Sequence, residues 1–130
     1  MPDKVLMLDG LCAIGYTEIM GKGIGYEIDH ESSIEAAKGR LAEIPSPYSA
    51  VLVEPFLYFA QDATPLLEFM IETKESGLAV VIVSTEEERA LNRNVRLVKN
   101  THYDGYVSKL KKEPLPKLKE ILDSLVPAEH

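Results

Sequence analysis

The 130-residue chain carries 14 Lys and Arg against 21 Asp and Glu, a formal charge of −7. That balance disfavours sequence-independent nucleic-acid binding, which draws on clustered cations. Hydrophobic residues make up 45% and charged residues 27%, the composition of a folded globular chain whose length suits one domain, residues 1–130.

No apolar run approaches the ~20 residues that cross a bilayer, and the first residues carry no basic-then-apolar signal pattern. The one cysteine, Cys12, has no internal partner. The expectation is a cytoplasmic protein in a reducing compartment, with no membrane attachment.

In chain order, Val5–Leu8 is a continuous apolar run ending in Asp9 and Gly10, the pattern of a strand covered on both faces. Leu11–Met20 reads as a helix weakened by Gly15 and Gly21. Gly21, Gly23 and Gly25 read as a loose connection into a half-polar strand over Gly25–Ile28. A dinucleotide-binding glycine run would instead follow a strand and open a helix. Ser32 and Glu35 form a capping box for a helix with the stripe Ile34, Ala37, Leu41 and Ile44.

Ala50–Val53 is the next buried strand. Thr64 and Pro65 then open a helix whose apolar face is Leu67, Met70 and Ile71, and Ser76 with Gly77 closes it. Leu78–Val83 is a further strand. Thr85 and Glu88 make a second capping box, with Glu86–Glu88 at the positive end of the helix dipole. Tyr106 and Val107 form a short last strand, and Leu115, Leu118, Ile121, Leu122 and Leu125 give the clearest helical stripe, ended by Pro127.

Apolar strands alternating with helices, without linker or repeat, imply a parallel sheet with helices on both faces and right-handed crossovers. Such sheets bind ligands outside the carboxyl ends of their strands, near the point where strand order reverses. Asp9, Glu54, Ser84 and Lys109 each fall at or just past such an end. They are the candidate site. His30, His102 and His130 have no metal-ligand spacing and read as surface residues. Cys12 has no identifiable base beside it, and no Ser-His-acid arrangement is visible.

The segments Lys4–Gly10, Gly25–Ile28, Tyr48–Glu54, Ala79–Thr85 and Gly105–Lys109 resemble, in order and spacing, the five strand motifs of the response-regulator receiver domain of two-component signalling. The resemblance runs over nearly the whole chain. It implies a flavodoxin-like, doubly wound α/β fold with strand order 2-1-3-4-5. It also implies an acid at Asp9, the phosphoacceptor position at Glu54, a hydroxyl at Ser84, the family's lysine at Lys109 and its aromatic switch residue at Tyr106.

The departures from the family pattern lie in the pocket itself. Gly10 stands where the family has a second metal-binding acid. Glu54 replaces the phosphorylated Asp and carries its carboxylate one methylene, ~1.5 Å, further out. Misplacement of that size costs ~100-fold in rate. Leu110 replaces the proline after the lysine, and Tyr58 with the stretch Phe59–Thr64 lacks the usual proline and glycine.

The resemblance with its departures implies a degenerate receiver: a regulatory module, not an enzyme, that works through protein–protein contacts. Asp9 alone is an incomplete metal site, offering only weak Mg²⁺ binding, and no resident cofactor is expected. One alternative is a receiver that still accepts phosphate, with Asp62 the nearest downstream Asp. Another is a small flavodoxin-like cofactor binder, for which Leu11–Gly15 supplies neither hydroxyls nor glycine density. The expected partner is another protein or a second copy. It would meet the face around Tyr106, formed with the helix that begins at Thr85 and the last helix. Lys109, Lys111, Lys112, Lys117 and Lys119 would form a solvated rim.

Overall fold

The computed structural model describes residues 4–9, 21–43, 47–55, 64–84, 97–108 and 114–125. Its strands are β1 (Lys4–Leu8), β2 (Glu27–Glu31), β3 (Tyr48–Val53), β4 (Ala79–Ser84) and β5 (Gly105–Ser108). All pair in parallel, in the order β2-β1-β3-β4-β5. The helices are α1 (Ile34–Leu41), α2 (Thr64–Glu75) and α3 (Pro114–Leu125).

Alternation along the strands sends side chains to two cores. Leu6, Leu8, Val51, Val53, Val80 and Ile82 meet Ala37 of α1 and Leu66, Phe69 and Met70 of α2. On the opposite face, Val5, Met7, Ala50, Leu52, Val81 and Val83 meet Leu118 and Leu122 of α3. Helices thus cover both faces, which is why the central strands are apolar without a break over Val5–Leu8, Ala50–Val53 and Ala79–Val83. Each large apolar side chain buried in this way contributes about 1.5–3 kcal/mol. Among the described residues no helix is long and apolar enough to cross a membrane.

Two glycines are fixed by geometry. Gly77 ends α2 at φ +95°, a left-handed conformation that costs glycine little. Its N–H reaches the Lys74 carbonyl at 3.0 Å, as the Ser76-Gly77 stop signal leads one to expect. Gly105 opens β5 where α3 crosses it, and a Cβ there would stand 2.7 Å from Ile121 Cγ2.

Several elements differ from the sequence expectation. The second strand is Glu27–Glu31, shifted toward Asp29, His30 and Glu31, because an edge strand can hold polar residues that find partners. The glycine run is no loose loop: residues 21–24 are helical, and Gly25, at φ +77°, donates its N–H to the Gly21 carbonyl at 2.8 Å. The N-cap of α1 is Ser33 rather than Ser32, its side chain accepting the Ala36 N–H at 3.1 Å.

The inward face of α2 is Leu66, Phe69, Met70 and Thr73, rotated from the expected stripe so that Leu67 and Ile71 flank it. His102 is buried rather than on the surface, and its Nδ1 accepts the Val98 N–H at 3.0 Å. Burial pushes its imidazole below the ordinary histidine value. The expected helices over Leu11–Met20 and from Thr85, with Glu86–Glu88, lie outside the described residues, as do Gly10, Cys12, Ile44, Tyr58, Asp62, Lys109, Leu110, Lys111, Lys112, Pro127 and His130.

The polar edge strand is tied in by charge. Asp29 Oδ2 lies 3.0 Å from Lys4 Nζ, 3.2 Å from Arg40 Nη1 and 2.7 Å from the donating Tyr48 hydroxyl. Arg40 Nε pairs with Glu31. Burial alone would raise the Asp29 carboxyl, but the Tyr48 hydroxyl, Lys4 and Arg40 outweigh it and hold the group below the ordinary carboxylate range. The Arg40 guanidinium is held further up by Glu31 and Tyr48.

Two outcomes follow for stability. Gly105→Ala should cost about 1–3 kcal/mol through overpacking against Ile121, read as a lower urea midpoint at unchanged slope. A carboxyl whose folded pKa is depressed stabilises above its unfolded pKa, and that contribution is lost as pH falls through the folded value. Asp29→Asn should therefore lower stability at neutral pH and flatten its decline below about pH 4, as measured by urea unfolding across pH.

Candidate functional site

The register pairs Leu8 with Val53, so the next residues, Asp9 and Glu54, leave neighbouring strand ends side by side. Strand spacing puts their backbones about 5 Å apart. The Glu54 N–H donates to the Leu8 carbonyl at 3.0 Å, which carries the pairing one step past the strand. Because β2 lies on one side of β1 and β3 on the other, this is also where strand order reverses, the usual ligand crevice of an open parallel sheet.

The site is nearly dry. Asp9 is 3% exposed, Glu54 6% and Ser84 0%. From the end of β4, the Ser84 hydroxyl donates to Glu54 Oε1 at 3.3 Å. A buried carboxylate costs several kcal/mol unless it is hydrogen-bonded or paired, and this contact supplies one of the bonds Glu54 requires. The structure thus brings Asp9, Glu54 and Ser84 together at the carboxyl edge. Lys109, which follows β5 by one residue, lies outside the described residues.

Tyr106 pairs with Ile82 across β4 and β5. It is half-buried and packs against the core on the α2 side. His30 was not foreseen here. Its Nε2 donates to the Asp9 carbonyl at 2.6 Å, while the Asp9 N–H donates to the Glu31 carbonyl at 3.1 Å. The edge strand therefore holds the Asp9 backbone at both its N–H and its carbonyl. The signal in the sequence was faint: a histidine opposite Met7 in the register, two positions before Asp9.

This strand order and placement of helices recur among solved structures. A response regulator from Thermotoga maritima matches with a TM-score of 0.66 at 14% identity, over 98% of this chain and 100% of that one. A CheY-like receiver domain from Methylobacillus flagellatus gives 0.65 at 18% identity, over 96% and 99%. The fold is that of a receiver domain. The phosphorylated cyanobacterial phytochrome response regulator RcpA shares it too, with a TM-score of 0.66 at 14% identity over 98% and 100%. No protein-family model and no curated protein sequence matches the chain, so the receiver likeness is carried by structure. On the receiver frame, Asp9 follows the first strand, Glu54 the third, and Ser84 ends the fourth.

The Ser84 contact can be tested by itself. Ser84→Ala leaves a buried carboxylate oxygen without this donor and should cost about 1–3 kcal/mol. Urea unfolding of the variant checks it, with the slope expected to stay that of the parent.

Proposed function

We propose that this chain is a signalling module of receiver type in which Glu54 stands permanently in the phosphoacceptor position, and that it acts by binding another protein rather than by accepting a phosphoryl group. The observation that carries the reading is the Ser84 to Glu54 hydrogen bond. In a phosphorylated receiver the hydroxyl at this position holds a transferred oxygen; here it holds a carboxylate that is part of the chain.

Phosphoryl transfer to an acid depends on positioning and charge neutralisation. Both are weakened. Glu54 carries its carboxylate a methylene further than Asp, and residue 10 is glycine. Mg²⁺ is commonly held by one or two carboxylates with waters in its other positions. With glycine at residue 10, only Asp9 and Glu54 would supply them, and no cofactor is assigned. Asp9 remains a weak candidate ligand.

Glu54, Ser84 and Lys109 would then bias the helix expected from Thr85 and strand β5 toward one state. Tyr106 on edge strand β5 would report that state to a partner or a second copy. It suits that role because it is half-buried on the edge strand and packs against the core on the α2 side.

Incubation with acetyl phosphate and Mg²⁺ should leave the intact mass of the chain unchanged. A stoichiometric, acid-stable and base-labile adduct would overturn the reading. Its mapping to Asp62 would identify a different acceptor.

A further inference from the structure

The opposite edge of the sheet carries a second feature. α1 and α2 run back toward the amino ends of the strands, and the turn at Gly77 leads directly into β4. Between their carboxyl-terminal halves lies a groove of about 280 Å³. Leu41, Ala42, Phe69 and Thr73 line it, and Lys38 and Glu72 stand at its rim. It falls just below the roughly 300–1,000 Å³ of small-molecule sites, which suits one large apolar side chain better than a whole ligand.

Exposed acids outnumber exposed cations around the groove. Glu72 lines it, and Glu43 and Glu75 are exposed at the carboxyl ends of the two helices. Lys38 is the exposed cation among them. Arg40 is engaged with Asp29 and Glu31, and Lys74 with Asp104. Both helices also end here, and helix carboxyl ends carry partial negative charge and carbonyls that accept hydrogen bonds.

We infer that this groove docks a basic segment of a partner protein, with one aliphatic or aromatic side chain seated against Leu41 and Phe69 and flanking Arg or Lys residues facing Glu72 and the helix ends. Apolar burial holds the segment, while the carboxylates select its sign and speed its approach. The surface lies across the sheet from Asp9 and Glu54, so it stands or falls independently of the phosphoacceptor reading.

The probe is a short fluorescent peptide with a central leucine between arginines, followed by anisotropy on the full chain. It should bind, and replacing leucine by serine should weaken it about 10- to 100-fold, the value of one buried aliphatic side chain. Glu72→Lys should weaken it roughly three- to tenfold, the range for reversing a rim pair. Ala42→Tyr, at an exposed position in the groove's lining, should block it.

Glu120→Lys on α3 makes the same change in net charge on the other face of the sheet and should have little effect. Several results would overturn the inference: no binding of the leucine probe, equal binding of the serine peptide, or equal losses from Glu120→Lys and Glu72→Lys. Self-association of the chain abolished by Glu72→Lys in sedimentation would assign the groove to a second copy and would also overturn it.

Discussion

Parallel strands cannot be joined by a tight hairpin; each pair needs a crossover of a dozen or more residues lying against one face of the sheet. From that constraint most of this structure follows. Crossovers on both faces bury β1, β3 and β4 twice over, so Val5–Leu8, Ala50–Val53 and Val80–Val83 are apolar without a break. Polar side chains are pushed to the strand ends, and the reversal of order between β2-β1 and β1-β3 sets two of those ends, Asp9 and Glu54, side by side. The site is a consequence of how the sheet is wound.

Charge then handles what apolar burial cannot. The edge strand β2 has a neighbour on one side only and is polar along most of its length. Its Asp29 and Glu31 are held by Lys4, Arg40 and Tyr48, and a charged edge resists pairing with another chain. Asp104 does a similar task beside β5: its carboxylate accepts the Val80 N–H at 2.9 Å and pairs with Lys74 of α2. Tyr26 donates to Asp123 of α3 at 2.9 Å. The ties through Lys4, Tyr48, Asp104 and Tyr26 lie near the amino ends of the strands, while Arg40 with Glu31 holds the carboxyl end of β2 beside Asp9.

The buried strands were legible because covering on both faces leaves a signature that needs no knowledge of neighbours; their order was implied by the receiver resemblance. β2 was not. Its Asp29, His30 and Glu31 read as the end of a strand until Arg40, Tyr48 and Lys4 are known to meet them, and these partners come from other elements. The N-cap of α1 was displaced by one residue because Ser32 and Ser33 both offer a hydroxyl, and only the backbone decides which one meets Ala36. The face of α2 was turned because Leu66, Leu67, Met70 and Ile71 are all apolar, so the stripe is too wide to orient by pattern alone. In the site, Asp9, Glu54 and Ser84 were readable from their strand ends. His30 was not, because it bonds a backbone carbonyl that any residue at position 9 would present.

On the reading proposed here, the glutamate has a further consequence. A phosphoryl group adds roughly −1.5 to −2 charge and three acceptor oxygens, and it can be removed. Glu54 offers one carboxylate, already accepting from Ser84, and it is always present. A fixed group shifts an equilibrium between two states once, by a constant amount, so it cannot carry a signal that varies. Any variation must come from a ligand that binds one state better than the other, and it can move the balance only by that difference in affinity. Glu54 would then set the resting population, while a protein partner at the Tyr106 edge, with its differential contacts, would supply the input that phosphorylation supplies in a working receiver.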